Sequence, residues 1–522
     1  MIEAVEDTAD RGTKVLFIGL DAADKDLIQE WSEAGVLPTF RALFERAAWT
    51  TTTNPEGLFV GAVWPSFFTG HSPDRHGRYC FAQLKPGTYE HYSFRPTHVK
   101  SEPFWGAIGK ANRRVAIIDV PKTYPYAGLN GIQLVDWGTH DRDDKFCTFP
   151  EALAEDVEAR FGSHPLYKCD ANRSSETEFK SMRDALLLGI KKKAAITRHF
   201  LEQGPWDLFL TVFSESHCAG HQCWHIHDPN HPRYDREIAQ NVGDPLKDVY
   251  VALDSAIAEL LAAAGSETTV FILASHGMGP HFDGTFLLDD ILKSLEKSST
   301  PAPRRGVARV LEWGWKKIPF AFRSSLRPVR RSAKSLLGSA ASDPEISECK
   351  CFPVQNNDVF GAIRVNLIGR EPHGRVRPGS EYDSFCEELS RDLLDFINLD
   401  TGQPLVARVL RCDRIYPGNR GDLPDLLVDW NGQSPISNIY SPKTGRIQKD
   451  FPGNRTGDHK PEGLLFAVGP SVKRGKMEHP VSVTDFAVTF ASLLDVPLPD
   501  TGGSVISFTD MGDASKRPLP VS

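Results

Sequence analysis

Short, uninterrupted apolar runs recur along the chain, and they constrain its fold more than any other feature. Each has the length of a strand, and they cover residues 15–20, 114–120, 206–213, 268–274, 424–430 and 463–469. Such runs are typical of strands buried on both faces, as in a parallel sheet. Helical patterns lie between several of them, at residues 244–264 and 382–397. This alternation predicts an α/β fold, a three-layer α/β/α sandwich with a mostly parallel central sheet, whose functional residues gather at the carboxyl ends of the strands.

Composition argues against several other classes of protein. The 522 residues contain 60 Lys and Arg against 68 Asp and Glu, a formal charge of -8, which disfavours a specific nucleic-acid binder. No run approaches the roughly 18 to 20 apolar residues of a membrane helix, and the acidic, polar start of the chain is unlike a secretory signal. The nine cysteines show no framework spacing, which favours reduced thiols and a cytoplasmic location.

One basic stretch interrupts the core pattern. The sequence predicts tails at residues 1–13 and 511–522, a core in two parts at residues 14–297 and 343–510, and an insertion at residues 298–342. The insertion contains ten Lys or Arg residues against one acidic residue, with interleaved aromatic residues. Such a segment could make a peripheral contact with an anionic membrane or cover the active site as a lid. It could equally be a solvated insertion whose aromatic residues pack on the core.

Five residues of metal-ligand type lie where predicted strands end or in Gly-bounded loops. They are Asp21, His217, His221, His276 and His459. If the stretch after residue 213 is helical, the four-residue spacing of His217 and His221 places both on one face. Imidazole nitrogen and carboxylate oxygen are ligands that Zn²⁺ accepts. A single pair of this spacing is more often structural, so it is the convergence of several strand ends that predicts a metal site.

Five motifs, in this order, resemble those of a known family. They are GLDAAD, WPSFFTGHSPDRHG, the His pair after WDLFLTVF, SHGMG and GDHKPEG. Together they resemble the type I phosphodiesterase/nucleotide pyrophosphatase family of the alkaline phosphatase superfamily, from about residue 14 to about residue 503, with the basic insertion outside the resemblance. The resemblance implies an alkaline phosphatase-like core. It also implies a hydrolase with two metal ions, usually zinc, which activate a Thr or Ser nucleophile.

The family pattern is matched at four ligand positions and broken at three other positions. The matching ligands are Asp21, His221, His276 and His459. His217 and Ser275 stand where the family has Asp, and the nucleophile position falls on Val60. A valine cannot attack phosphorus, so the mechanism must differ from that of the family or the loop must shift.

These departures favour one metal site over the other. The set His217, His221 and His459 would leave a fourth position open for water, as in catalytic zinc sites. The second family site keeps Asp21 and His276 but lacks a carboxylate and the hydroxyl, so we expect it to bind metal weakly or not at all. One zinc ion is the economical interpretation, with a second ion or another divalent metal as alternatives. Oxygens that could complete the second site belong to Glu215, Asp283 and Asp458.

The nucleophile remains open between water and a displaced hydroxyl. Water activated by the metal is one candidate, because a bound metal lowers the pKa of water from 15.7 to about 7. A shift of the loop could instead bring Thr53, Ser66 or Thr69 to the metal. Arg75 and Lys460 are candidates for binding a phosphate oxygen, since charge-assisted bonds to phosphate are strong.

The sequence therefore predicts a metal-dependent hydrolase of small-molecule phosphate esters, most plausibly phosphodiesters or nucleotide pyrophosphates. A non-catalytic metal-binding protein that recognises a phosphorylated or sulfated ligand is an alternative of a different class. Hydrolysis or transfer of sulfate or phosphonate esters is a third, although the Cys-x-Pro/Ala-x-Arg signature of sulfatases is missing. The oligomeric state does not follow from the sequence.

Overall fold

The computed structural model describes residues 14–140, 145–166, 168–299, 344–418 and 421–508. Both predicted tails, and the basic insertion apart from its first two positions, lie outside the described residues. Within them the strands are β1 (Val15–Leu20), β2 (Ala48–Thr53), β3 (Ala82–Leu84), β4 (His91–Ser93), β5 (Val115–Ile118), β6 (Gly131–Val135), β7 (Cys147–Phe149), β8 (Leu208–Phe213), β9 (Thr269–Ala274), β10 (Gly277–Pro280), β11 (Cys351–Val354), β12 (Phe360–Val365), β13 (Ile397–Asn398), β14 (Val406–Arg411), β15 (Leu426–Trp430), β16 (Asn438–Ser441), β17 (Gly445–Gln448), β18 (Gly457–Lys460), β19 (Gly463–Val468), β20 (Gly475–Lys476) and β21 (Val481–Ser482).

Helices flank these strands along most of the described chain. They are α1 (Lys25–Glu33), α2 (Pro38–Arg46), α3 (Phe59–Thr69), α4 (Pro73–His76), α5 (Phe104–Lys110), α6 (Leu153–Phe161), α7 (Glu176–Leu201), α8 (Glu215–His227), α9 (Arg236–Val242), α10 (Pro245–Ala264), α11 (Leu288–Ser299), α12 (Pro344–Glu348), α13 (Ser380–Leu394), α14 (Cys412–Ile415) and α15 (Asp485–Leu493), with 3₁₀ turns at Pro96–His98 and Thr285–Leu287. In the part of the chain that is described, no helix is both long and apolar enough to cross a membrane.

The central sheet follows the order β20-β2-β19-β9-β1-β8-β5-β6-β7, with β21 also paired to β2. Its middle is parallel, because β9, β1, β8, β5 and β6 all run in one direction. Strand β19 is antiparallel to both of its neighbours, and β7 is antiparallel to β6. The prediction of a mostly parallel sheet in an α/β fold is confirmed.

Two hydrophobic cores cover the two faces of this sheet and make the three layers. Alternate residues of β1 point to opposite faces, so that Leu16 and Ile18 pack with helices α1, α2, α7, α8 and α10. Val15 and Phe17 pack on the other face with helices α3, α5 and α15. Since both faces are covered, every residue of β1 and β8 is buried, which is why these strands are continuous apolar runs.

One predicted strand belongs to another sheet. The run at 424–430 forms β15, which pairs antiparallel with β12 and β14 in a separate four-stranded sheet instead of joining the central one. That sheet packs with helices α11 and α13 in its own core. An apolar run shows that a strand is buried but not which sheet buries it, so the sequence could not separate the two cases.

Candidate metal centre

Neighbouring strands of the central sheet end at the same level and bring distant residues together. Leu20 at the end of β1 is in register with Phe213 of β8 and Ala274 of β9. Backbone hydrogen bonds continue this register past the strand ends, from the Asp21 N–H to the Phe213 carbonyl (2.8 Å) and from the Ser275 N–H to the Leu20 carbonyl (3.0 Å). The residues that follow these strands therefore meet at one edge of the sheet, as the sequence predicted.

His217 and His221 lie on helix α8, which confirms the predicted helical spacing. The Nδ1 atom of His217 is 2.7 Å from Oδ2 of Asp21, and Nδ1 of His221 is 2.8 Å from the Gly457 carbonyl. Both partners accept hydrogen bonds, so both Nδ1 atoms carry a proton and donate it. In the neutral rings the Nε2 atoms then carry lone pairs, and these two atoms face each other at 3.1 Å. Such a contact is repulsive unless a proton or a metal cation lies between them.

His459 approaches this pair from β18. Its ring centroid lies 4.7 Å from those of both His217 and His221. Its Nδ1 atom is 3.0 Å from Nε2 of His276, whose Nδ1 is 3.0 Å from the Ser275 hydroxyl. Within the described residues, Nε2 of His459 is buried and has no hydrogen-bond partner. If His276 accepts the proton of His459 Nδ1, a lone pair remains on Nε2 of His459.

The Nε2 atoms of His217 and His221 are spaced as two ligands of one zinc ion would be. Two nitrogens bound to one tetrahedral Zn²⁺ at 2.0–2.1 Å are expected about 3.3 Å apart, close to the Nε2 contact between His217 and His221. The fixed Nδ1 partners are those that metal-ligating histidines generally have, a carboxylate for one ring and a backbone carbonyl for the other. Asp21 thus contacts a candidate ligand, and its other oxygen, Oδ1, accepts a hydrogen bond from Trp64 Nε1 (2.8 Å).

The structure groups the histidines differently from the sequence. Sets of ligand atoms within 4.8 Å of one another combine His217 and His221 with His140, and His221 and His459 with Asp458. His221 belongs to both sets, so the three predicted histidines are split between two overlapping groups. The ring of His140 stacks on that of His217 with centroids 3.8 Å apart.

His140 was missed by the sequence reasoning. It follows strand β6 in the segment WGTH, and β6 is not among the apolar runs that predicted strands, so the rule that functional residues follow strand ends could not be applied to it. The nearby Asp119 carboxylate accepts hydrogen bonds from the Trp137 and Gly138 N–H groups, at 2.8 and 2.7 Å, and so holds the start of this segment. Lys193, which is fully buried, pairs with the same carboxylate.

Electrostatics keep the cluster in the protonation state that a metal requires. Burial lowers the pKa of His221 and His459 well below the usual value, and the neighbouring positive charges lower it further. Burial also lowers the pKa of His276, to about 4. Burial by itself would raise the pKa of Asp21, but the charge and hydrogen bond of His217 outweigh it and lower the pKa. At neutral pH the three rings are neutral and Asp21 is ionised.

The residues of the family's second site lie beside this cluster but have other partners. The Ser275 hydroxyl accepts a hydrogen bond from the Ala22 N–H (3.2 Å) and contacts His276. Val60 is the second residue of helix α3, half-buried and packed in an apolar cluster. The ring of the preceding residue, Phe59, lies 5.7 Å from the ring of His276. Apolar side chains thus occupy the start of α3, where the family pattern expects a hydroxyl.

The other predicted site residues are engaged elsewhere. Ser66 Oγ is 3.0 Å from His76 Nε2, and Thr69 Oγ1 donates to the Pro65 carbonyl at 2.6 Å. Thr53 is exposed at the end of β2. The cationic candidates form ion pairs, Arg75 with Asp500 at 2.5 Å and Lys460 with Asp24 at 3.1 Å. Glu215 contacts His164 at 3.1 Å.

A cavity of about 1140 Å³ reaches the cluster from one side. His140 and Cys218 line it, and the Nδ1 atom of His140 is 3.4 Å from the Cys218 sulfur. Lys145 and Lys168, both exposed, also line this cavity. Glu158 and Asp170 line it as well, so the cavity joins the histidine cluster to a surface that carries charges of both signs.

Two solved structures align with almost the whole chain. Phosphonoacetate hydrolase from Sinorhizobium meliloti 1021, solved with phosphonoformate, aligns with a TM-score of 0.50 and 14% identity over 93% of this chain and 95% of that chain. Murine ectonucleotide pyrophosphatase/phosphodiesterase 5 aligns with a TM-score of 0.48 and 12% identity over 94% of this chain and 98% of that chain. Identities this low concern the fold alone.

Sequence comparison gives the family directly. No curated protein matches the chain. The profile of one family, type I phosphodiesterase/nucleotide pyrophosphatase, matches residues 15–429. This match includes Asp21, His217, His221 and His276 and covers most of the sequence. The chain therefore belongs to the type I phosphodiesterase/nucleotide pyrophosphatase family.

Proposed function

We propose that the protein is a metal-dependent hydrolase of phosphate esters, acting on phosphodiesters or nucleotide pyrophosphates, with a zinc ion held by His217, His221 and His459. The observation that carries this proposal is the contact at 3.1 Å between the Nε2 atoms of His217 and His221, whose Nδ1 atoms both face hydrogen-bond acceptors. The family supports the hydrolase class. The lowered pKa of His221 and His459 supports metal binding, because a ligand histidine must be neutral.

The residues of the chain have distinct tasks in this proposal. Asp21 holds the Nδ1 proton of His217, and the Gly457 carbonyl holds that of His221, so that both Nε2 lone pairs point inward. His276, between β9 and β10, holds His459 in the same way. A zinc ion bound there would lower the pKa of a water ligand to about 7 and polarise a phosphoryl oxygen.

We propose that water is the nucleophile in a single displacement. Val60 offers no hydroxyl, and the Ser66 and Thr69 hydroxyls are buried and bonded to His76 and to the Pro65 carbonyl. Breaking either contact inside the core would leave a buried polar group unpaired, which costs about 1–3 kcal/mol. Stereochemistry on a chiral phosphodiester tests this step: inversion at phosphorus is expected, and retention would show a covalent intermediate.

The substrate is proposed to enter through the cavity that His140 lines. The exposed Lys145 and Lys168 at its wall suit a phosphate oxygen better than Arg75 or Lys460, which form ion pairs with carboxylates elsewhere. A small phosphate ester is therefore the expected ligand. All nine cysteines are thiols, which agrees with the proposed cytoplasmic location.

The proposal is tested by metal analysis together with hydrolysis of bis(p-nitrophenyl) phosphate and of a nucleotide pyrophosphate. Phosphonoacetate is a useful third substrate, because phosphonoacetate hydrolase shares the fold. We expect His217→Ala and His459→Ala to lose zinc and at least 100-fold in kcat/KM. The matched control is His199→Ala on α7, whose ring is hydrogen-bonded to Gln203 (2.8 Å), and it should change neither.

Two results would overturn the proposal in different ways. Full zinc content and full rate in both variants would place the active centre elsewhere. Zinc that depends on His217 and His459, without turnover of any of the three substrates, would instead support a binding protein for phosphorylated or sulfated ligands.

A further inference from the structure

A second group of ligand-type side chains lies further along the β10–β18 ribbon that carries His459. In this antiparallel pair Met278 faces His459, Gly279 faces Asp458 and Pro280 faces Gly457. The next residue, His281, donates its N–H to the Thr456 carbonyl (2.9 Å), so the pairing continues past the strand end. His281 lies two residues after Gly279, the partner of Asp458, so His281 and Asp458 are on the same face of this strand pair.

We propose that His281, Asp283, Asp358 and Asp458 form a second divalent-cation site, separate from the family's second site at Asp21 and His276. Its catalytic role rests on the proposed function, whereas its existence does not. Ligand atoms of His281, Asp358 and Asp458 all lie within 4.8 Å of one another. Asp458 also belongs to the group that contains His221 and His459, so its carboxylate is placed between the two sites.

The side chains at this site are buried, and two of their polar atoms make no hydrogen bond. The His281 side chain is 2% exposed, and among the described residues its Nδ1 atom makes no hydrogen bond. Its Nε2 is in direct contact with Asp283 Oδ2 and lies 3.7 Å from Asp458 Oδ2. Asp458 Oδ2 is also buried without a hydrogen-bond partner in the described structure. Buried polar atoms are nearly always paired, so the two unsatisfied atoms, His281 Nδ1 and Asp458 Oδ2, on adjoining side chains indicate room for a ligand.

Charge points in the same direction. The cluster holds three carboxyl groups and one imidazole, so its acidic groups outnumber its basic group. Arg455, whose charge acts on Asp358, is itself engaged by Asp170 through two hydrogen bonds of 3.1 and 2.6 Å. Uncompensated buried charge is strongly destabilising, and a divalent cation would neutralise this excess.

Hydrogen bonds fix the Asp283 and Asp458 carboxylates and the backbone at Asp358. The Thr285 hydroxyl donates to the Asp358 carbonyl (2.6 Å), and the Thr285 N–H donates to Asp283 Oδ1 (2.8 Å). The indole N–H of Trp430 donates to the same hydroxyl at 2.8 Å. On the ribbon, Asp458 Oδ1 accepts the His459 N–H (2.8 Å), which leaves Oδ2 directed at His281. The arrangement is thus fixed by the fold, unlike a chance group of acidic surface residues.

The donor set also suggests which ion it selects. Carboxylate oxygens suit Mg²⁺ and Mn²⁺, whereas imidazole nitrogens suit Zn²⁺. A site with three carboxylates and one histidine is therefore expected to bind Mn²⁺ well, and to prefer a harder ion than the three-histidine set does. With Asp458 shared, the chain would recover a two-ion centre at a position displaced from that of the family.

Titration of the metal-free protein with Mn²⁺, followed by electron paramagnetic resonance, tests the site without an activity assay. We expect the wild type to bind two ions per chain and to show a spin-coupled signal, because one carboxylate is shared. His281→Gln and Asp358→Asn should each lose one ion, or at least tenfold in its affinity, and give an uncoupled six-line spectrum. His199→Gln on α7 is the matched control and should retain both ions.

His281→Gln and Asp358→Asn lie on separate segments of the chain, so misfolding of one variant would not explain the same loss in both. Circular dichroism checks that each variant is folded. Retention of both ions with unchanged affinity in His281→Gln and Asp358→Asn would refute the site. His217→Ala separates the two proposals, since it should remove the ion of the three-histidine set and spare the other. If no phosphate ester is hydrolysed but an ion still depends on His281 and Asp358, the proposed function fails and the second site stands.

Discussion

Substitution of Asp21 by Asn tests how the candidate zinc ligands are oriented. The two carboxylate oxygens have different donors, Trp64 Nε1 at 2.8 Å and His217 Nδ1 at 2.7 Å. An amide has only one acceptor oxygen, so Asp21→Asn cannot serve both donors. The indole can only donate, and if it keeps the oxygen, the amide NH₂ group faces His217. The His217 proton then moves from Nδ1 to Nε2, which removes the lone pair that faces His221.

Loss of a carboxylate that orients a metal-bound histidine typically weakens metal binding by 10–100-fold, which is about 1.4–2.7 kcal/mol. We therefore expect Asp21→Asn to raise the zinc Kd by that factor, measured by competition with a chromophoric chelator. Adding Trp64→Phe removes the competing donor, so the amide oxygen can turn to His217 and the double variant should regain part of the affinity. An unchanged Kd in the single variant, or no recovery in the double variant, would refute this account of the hydrogen bonds.

Three further predictions concern residues around the centre. Lys193→Met leaves the buried Asp119 carboxylate without its cation and should lower the free energy of unfolding, measured in urea, by about 3–5 kcal/mol. Adding Asp119→Asn should restore part of this stability. Burial lowers the pKa of His76 to about 3, so below pH 6.5 the unfolded chain binds a proton that the folded chain does not bind. The free energy of unfolding of the metal-free protein should therefore fall as the pH drops from 6.5 towards 4. His76→Asn should reduce the slope of this free energy against pH by about 1.4 kcal/mol per pH unit. Ser66→Ala and Thr69→Ala should each keep kcat within about threefold, because loss of a nucleophilic hydroxyl would lower kcat at least 10³-fold.

The sequence predicted the architecture and much of the centre from local patterns. Buried runs followed by Asp21, His217 and His276 are enough to place these side chains at one sheet edge, since parallel strands share their direction. The four-residue spacing of His217 and His221 likewise needs only a helix. Both inferences depend on periodicity, which is a property of the local sequence.

Other parts of the centre depend on contacts that no local pattern encodes. Asp358 lies between β11 and β12 of the separate sheet, and it meets His281 only because that sheet packs beside the β10–β18 ribbon. Its immediate neighbours, Asn357 and Val359, are unlike a ligand motif. The contact of the Ser66 hydroxyl with His76 was equally invisible, because it depends on how α3 packs against the short helix α4, whereas the Thr69 hydroxyl bonds the carbonyl four residues earlier in its own helix.

The departures from the family pattern fit together as a redistribution of charge. Val60 and Ser275 remove two groups that would help hold a cation beside Asp21, and this carboxylate is only 4% exposed. An Asp at position 217 would then set two buried carboxylates against each other. His217 instead donates to Asp21 and presents its second nitrogen to His221, so one substitution both satisfies the carboxylate and supplies a ligand. The same reasoning applies to Asp458, whose ion-pair partner among the described contacts is His281, at 3.7 Å, and beside which we propose that a cation binds.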